Sequence, residues 1–271
     1  MSSIKNLIVS IASCLVFTTI ANGQALDLTT GQTNIIGKDQ ITLEHLFYDN
    51  DFYNATIQLN LDGTYQVSQV EILSLTTTAV YQVTFTSTWS QQTHPSEFPF
   101  GSAHFSGLIG ATHNALVNFW QSGEVATNGI ESMAETGSKS LLTSEINSQI
   151  DNGNAQHLLS AGGIGSSPGE VIFTFEISQQ KPFVTLVSMI APSPDWFVGV
   201  SKLSLIANGQ WLEELVVPLY AYDAGTDSGA RYTSPNSDTQ PKASIQRIEI
   251  LPFLVNSEVP SIGTLSFERL E

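Results

Sequence analysis

The sequence predicts an all-β protein built as an antiparallel β-sandwich. Short apolar runs separated by turn residues recur along most of the chain, and helical periodicity is confined to one segment. A hairpin signal comes early, where Asp62-Gly63 forms a two-residue turn between alternating residues 57–61 and 65–67. The later strand-like runs are 81–89, 171–177, 184–190, 196–205, 211–219, 245–251 and 262–267.

The first 25 residues have the pattern of a signal peptide. A short start containing Lys5 precedes the apolar stretch 7–20, and small residues follow at 21–23. The stretch is shorter than the ~18 to 20 residues that a membrane span needs. We therefore expect an exported chain without a membrane span, extracellular or periplasmic. The alternative is a lipoprotein anchored at Cys14, although the apolar run continues beyond that residue.

The rest of the chain divides into two regions. Residues 26–79 are expected to form a β-rich extension that contains the hairpin, and residues 80–271 to form the main domain. Short helices are expected within 108–160, above all at 138–150, where Leu142 and Ile146 are one turn apart and Gly153 follows. Cys14 is the chain's one cysteine, so after export the domain would depend on its core or on bound metal rather than on disulfides.

The charge balance limits the partners. The chain has 9 basic and 25 acidic residues, a formal net charge of −16. So few basic residues do not supply the positive surface that phosphate backbones require, which argues against nucleic acid as a partner. Cations, in contrast, suit a strongly acidic chain.

Two acidic loops are candidates for a metal site. Asp195 follows two prolines, and Asp223 and Asp227 lie four residues apart around Gly225. Calcium takes several oxygen ligands from bent loops, in which carboxylates are mixed with backbone carbonyls. If the preceding strands bring both loops to one end of the sandwich, the three carboxylates repel one another unless a cation lies between them. The alternative is that they are ordinary solvated turn aspartates.

Patterns typical of enzymes are weak here. The G-x-S-x-G pattern at 165–169 belongs to serine hydrolases only between a strand and a following helix, whereas we expect a loop between a helix and a strand. Asp227-Ser228-Gly229 resembles the aspartic protease motif, but it occurs once. His94, His104 and His113 lie within twenty residues of one another without a tight metal-binding spacing.

Several of these segments together resemble the spondin domain, in consistent order over about residues 80–271. They are residues 81–89, 94–99, 104–113, 192–200 (PSPDWFVGV) and 220–229 (YAYDAGTDSG). The resemblance implies an eight-stranded antiparallel sandwich, a variant of the C2 fold, that binds calcium at loops on one end. By motif it assigns Asp195, Asp223 and Asp227 to the metal. It also implies extracellular matrix or adhesion functions, without the cysteines and thrombospondin repeats of the animal proteins, which makes a bacterial member the expectation.

The sequence therefore predicts an exported calcium-binding module that is not an enzyme. Its partner is expected to be an extracellular glycan or protein that binds at the loop end, with Trp196 and Phe197 beside the site as candidate anchors. The equally weighted alternative is that Trp196 simply opens a core strand. The rival hypothesis is an exported hydrolase that uses metal-bound water or a carboxylate pair. It requires at least two histidines, or a histidine and a carboxylate, to meet at a solvent-accessible point.

Overall fold

The structure is a computed structural model, and it describes residues 32–35, 40–48, 51–59, 65–73, 78–207 and 209–270. The expected signal segment 1–25, with Cys14, lies outside the described residues, and so does the Asp62-Gly63 turn.

The described residues form seventeen strands and two helices. The first strands are β1 (Gln32–Ile35), β2 (Gln40–Tyr48), β3 (Asp51–Leu59), β4 (Tyr65–Leu73), β5 (Thr78–Ser87), β6 (His104–Phe105) and β7 (Ile109–His113). The helices α1 (Asn128–Thr136) and α2 (Ser140–Asp151) follow. The remaining strands are β8 (Ala155–Ser160), β9 (Gly169–Ser178), β10 (Phe183–Ala191), β11 (Trp196–Ser204), β12 (Ile206–Ala207), β13 (Gln210–Trp211), β14 (Glu214–Leu219), β15 (Tyr222–Asp223), β16 (Gln246–Arg247) and β17 (Gly263–Arg269).

The chain divides into two compact units, residues 1–77 with 206–211 and residues 78–205 with 212–271. In the first unit, β1 to β4 form an antiparallel sheet in sequence order. β3 and β4 pair from Phe52 with Leu73 to Leu59 with Tyr65, so the expected pair of strands is present. The expected hairpin is thus part of a four-stranded sheet.

The second unit is the antiparallel sandwich that the sequence predicts. One sheet has the order β14-β17-β5-β9, and the other has β16-β15-β11-β10-β7-β8 with β6 paired to β10. Eight strands of this unit are five residues or longer. β5 alternates between buried and half-buried positions, and its Phe85 packs edge-on against Phe105 of the other sheet, with ring centroids 5.0 Å apart. The core therefore lies between the two sheets.

Both helices cover the outer face of the second sheet. Ile130 and Met133 of α1 and Ile146 of α2 are buried in one apolar cluster with alternate residues of β10, among them Val187 and Met189. As a result, β10 is buried at eight of its nine positions. The prediction of a helix around Leu142 and Ile146 is confirmed.

Two expectations about secondary structure are wrong. The segment before Gly165 is strand β8 followed by a loop, not a helix, so the G-x-S-x-G pattern lies between two strands. Residues 245–251 contribute only the two-residue strand β16, and Ile250 and Leu251 beyond it are exposed. Because those apolar side chains have no core to enter, their run does not extend the sheet.

Candidate functional site

The two acidic loops meet at one end of the sandwich because strands β11 and β15 are neighbours. Trp196, the first residue of β11, pairs with Asp223 at the end of β15. Asp195 immediately precedes β11, and its carbonyl accepts a hydrogen bond from the Ala224 N–H at 3.2 Å. This pairing places Asp195 next to the chain that carries Asp223 and Asp227.

The Asp195 carboxylate is fully buried, with 0% of the residue exposed. Its Oδ2 accepts hydrogen bonds from the backbone N–H groups of Thr226 at 2.7 Å and Asp227 at 3.0 Å. Its Oδ1, equally buried, accepts no hydrogen bond from any described residue. A buried carboxylate oxygen without a partner is costly, which distinguishes Asp195 from a solvated turn aspartate.

Asp223 and Asp227 shape the loop that contains them. Asp223 Oδ1 accepts the Gly225 N–H at 2.7 Å, and Gly225 has φ +75°, with the Ala243 carbonyl 2.5 Å from where a Cβ would lie. Asp227 accepts the N–H groups of Gly229 and Ser237, each at 2.7 Å. The turn therefore requires glycine at position 225, and the remaining lone pairs of the two carboxylates are available to a cation.

The pKa values of Asp195 and Asp223 reflect burial that their hydrogen bonds only partly offset. Burial, followed by the nearby Asp223 charge, raises the pKa of Asp195 from 3.8 to about 6. Burial also raises the pKa of Asp223, against the hydrogen bond from Gly225. The charged forms of Asp195 and Asp223 are thus less stable in the folded protein than they would be in water. A bound cation would stabilise these charged forms.

A fourth carboxylate, Glu135, lies within electrostatic range of Asp195. Its pKa is raised by burial first, and its side chain interacts with the Thr226 hydroxyl and with the Asp195 charge. Glu135 lies on α1, sixty residues before Asp195 in the chain, and only the helix packing brings it to this end. The sequence analysis missed it, because a glutamate on an amphipathic helix has no local signal of its own. We call Asp195, Asp223, Asp227 and Glu135 the acidic cluster.

The acidic cluster does not form a complete metal cage. Among the described residues, no group of three or more His, Cys, Asp or Glu side chains could by itself hold a metal ion. A calcium ion does not need such a cage, because backbone carbonyls and water supply part of its six to eight ligands. The unpartnered Oδ1 of Asp195 is the observation that fits a cation here.

The aromatic residues next to Asp195 do not form a binding surface. Trp196 is 3% exposed and Phe197 is 0% exposed, so the expectation that they anchor a partner is wrong. Trp196 packs against Tyr232 and Phe253 instead, with ring centroids 5.3 and 5.4 Å away. Both begin a core strand, which explains their burial.

The histidines of the rival hydrolase hypothesis lie in different surroundings. His94 is buried against Phe253, His104 is exposed and bonded to the Ser102 carbonyl, and His113 is buried, with hydrogen bonds to the Asn114 carbonyl and the Thr185 hydroxyl. Burial lowers the pKa of both His94 and His113. Neither buried ring offers a solvent-accessible point, so the geometry does not support the histidine version of that hypothesis.

Ser167, the serine of the G-x-S-x-G pattern, is also buried. Its hydroxyl donates to the Trp89 carbonyl at 2.6 Å and lies 2.7 Å from the Ser87 hydroxyl. In G-x-S-x-G hydrolases the serine is exposed on a strand-to-helix turn, whereas Ser167 is buried and lies between two strands. Its contacts are those of a structural hydroxyl that closes one end of the sandwich.

The second unit is thus an antiparallel β-sandwich module with acidic loops at one end. The Spondin_N family model matches residues 79–257, and the chain belongs to this family. Neither helix among the described residues has the length and apolar character needed to cross a membrane.

The relatives are animal spondins. The chain is 37% identical to rat Spondin-2 over 173 residues, which cover 63% of this chain and 52% of the relative. Human Spondin-2 is 36% identical over 180 residues, 65% of this chain and 54% of that protein. The chain thus spans about half the length of these relatives. Rat Spondin-1 is 32% identical over 234 residues, which cover 82% of this chain and 29% of the relative. That share is more than residues 80–271 can supply, so the similarity reaches further toward the N terminus than the motifs indicated.

Proposed function

We propose that the chain is an exported, non-enzymatic recognition module that binds calcium at the acidic cluster. Its partner would be an extracellular glycan or protein that binds at the same loop end. One observation carries the metal proposal: Asp195 is fully buried, and one of its carboxylate oxygens has no hydrogen-bond partner among the described residues. A divalent cation would supply that oxygen with its missing partner.

The other carboxylates support the same proposal. Asp195, Asp223, Asp227 and Glu135 would have to draw in around the ion, because the described carboxylates do not already form a group that could hold a metal. Backbone carbonyls of the 223–229 loop, which the left-handed Gly225 bends, would supply further ligands. The ion would supply positive charge where burial and neighbouring negative charges disfavour the ionised forms of Asp195, Asp223 and Glu135. It would also join helix α1, the loop before β11 and the loop after β15, so its primary effect would be to order this end of the sandwich.

Export and the lack of catalysis belong to the same proposal. The apolar stretch 7–20 and a chain with a single cysteine are consistent with a secreted bacterial protein. Membership in the Spondin_N family favours an extracellular recognition role over catalysis. The chain's net charge of −16 favours a partner with basic groups or one that adds ligands to the bound calcium ion.

Thermal unfolding tests the calcium site directly. The protein is unfolded in EDTA, in 10 mM calcium and in 10 mM magnesium. An extracellular site with a Kd near 10⁻⁴ M would add about 2.7 kcal/mol to the free energy of unfolding at this calcium concentration. For a domain of this size, the Tm should rise by about 5–10 °C.

Two double variants supply the comparison. Asp223→Asn with Asp227→Asn should abolish the calcium shift. Asp151→Asn with Glu170→Gln removes the same charge at exposed positions and should leave the shift intact. A wild-type protein with no calcium shift, or a double cluster variant that keeps it, would overturn the site. If the shift is present, binding of extracellular glycans and proteins is then compared in calcium and in EDTA.

A further inference from the structure

Lys242 lies at the same end of the sandwich as the acidic cluster, and its ion pairs are with Glu131 and Asp238. Its Nζ contacts Glu131 Oε1 on helix α1 at 2.8 Å and also contacts Asp238. It lies 3.4 Å from the Thr226 carbonyl as well. One ammonium group therefore connects helix α1 to both ends of the loop that follows Asp223.

We propose that Lys242 is a positioning residue of the calcium site. It holds residues 226–242, called here the 226–242 loop, against helix α1, so that Asp227 on the loop and Glu135 on the helix face the same ion. This inference rests on the proposed calcium site and deepens it.

The contacts of the 226–242 loop show why one side chain has this effect. Its two ends pair through the bridge between Asp227 and Asp238 and through the hydrogen bond from Thr239 N–H to the Thr226 carbonyl at 2.9 Å. Helix α1 presents Glu131 and Glu135 one turn apart, on one face. The Lys242 contact with Glu131 thus fixes the helix face that also carries Glu135.

The charge of Lys242 is balanced outside the cluster. Its two strongest interactions, with Asp238 and Glu131, hold its pKa above the usual range. Because the ammonium group bonds to those two carboxylates, it mainly neutralises charges that flank the site, and among the cluster carboxylates its charge acts on Glu135. The Glu131 contact is the more protected of the two, since Asp238 is half exposed.

Lys242→Met separates positioning from a simple field effect, and Glu131→Gln breaks the same contact from the helix side. Lys242→Met removes a positive charge, so Coulomb attraction alone would make calcium bind more tightly. Glu131→Gln removes a negative charge, so the same effect alone would make calcium bind more weakly. Positioning predicts weaker calcium binding in both variants, by about threefold to tenfold, and affinity within about twofold of wild type for Lys242→Arg.

Calcium affinity by isothermal titration and amide hydrogen exchange in EDTA make up the test. Exchange of the Ser228, Ser237 and Thr239 amides, which bond within the 226–242 loop, should be about threefold to tenfold faster in both variants. Tighter calcium binding by Lys242→Met, or unchanged exchange, would overturn this inference alone. A wild-type protein that binds no calcium would overturn the proposed site and this inference with it, whatever the exchange rates.

Discussion

Replacing Asp195 with asparagine should make the metal-free protein more stable and at the same time abolish its response to calcium. Asparagine has the shape of a protonated aspartate, and its Oδ1 can accept the N–H groups of Thr226 and Asp227 as Oδ2 does now. Its NH₂ group would occupy the position of the unpartnered Oδ1 and would face Asp223 as a donor instead of a repelling charge. The substitution removes the buried charge without removing the hydrogen bonds.

The size of the gain follows from the pKa of Asp195. A rise from 3.8 in the unfolded chain to about 6 in the folded protein corresponds to about 3 kcal/mol at neutral pH. A neutral amide oxygen accepts the two N–H bonds more weakly than a carboxylate does, which reduces the expected gain to about 2 kcal/mol. At about 2–4 °C per kcal/mol, the Tm in EDTA should rise by about 4–8 °C.

Thermal unfolding of wild type and Asp195→Asn in EDTA and in 10 mM calcium measures both effects. We expect the variant to be the more stable protein in EDTA and to show no calcium shift. Asp151→Asn, at an exposed helix end, is the control for the loss of one charge. A variant that is less stable than wild type in EDTA, or that is stabilised by calcium as wild type is, would refute the reasoning.

Two other predictions concern titration and the buried serine. In EDTA, protonated Asp195 should contribute fully to the free energy of unfolding below about pH 4. This contribution should be lost as the pH rises to about 6, because the pKa of Asp195 is higher in the folded protein than in the unfolded chain. The rise in Tm caused by calcium should grow over the same pH range. Chemical denaturation of wild type and Asp195→Asn from pH 4 to 7 isolates this contribution, and identical pH dependence in the two proteins would contradict it. Ser167→Ala should cost about 1–2 kcal/mol, because it removes the buried hydroxyl's hydrogen bonds to the Trp89 carbonyl at 2.6 Å and to the Ser87 hydroxyl at 2.7 Å, while the calcium shift stays unchanged. A loss of the calcium shift in that variant would show that Ser167 is more than a structural hydroxyl.

The sandwich could be predicted from the sequence because its strands show one of two patterns. Apolar and polar residues alternate where one face of a strand is buried, and apolar residues are continuous where both faces are buried. The two wrong secondary-structure predictions concern residues that do not follow these patterns. Strand β8 follows a helix directly and contains Gln156 and His157, so it has no apolar run to mark it. Ile250 and Leu251 have the opposite property, since they look like strand residues but are exposed.

The acidic loops could be found from the sequence, but their environment could not. Aspartates near glycine and proline are common in turns, and only the pairing of β11 with β15 shows that Asp195 is buried. Glu135 and Lys242 reach the same end from a helix and from a distant loop position. Such contacts depend on how helices, strands and loops pack together, and the spacing of residues along the chain does not predict that packing.

The burial of β10 on both faces makes the segment between β7 and β8 indispensable. That segment contains α1 and α2 and lies outside the two sheets, like an insertion between neighbouring strands. Without it, Val187 and Met189 would face water from the middle of the sheet. Because α1 also carries Glu135 and Glu131, the same helix that seals the sheet bears on the acidic loops. A substitution that disturbs the packing of these helices would therefore affect both the core beneath β10 and the acidic loops.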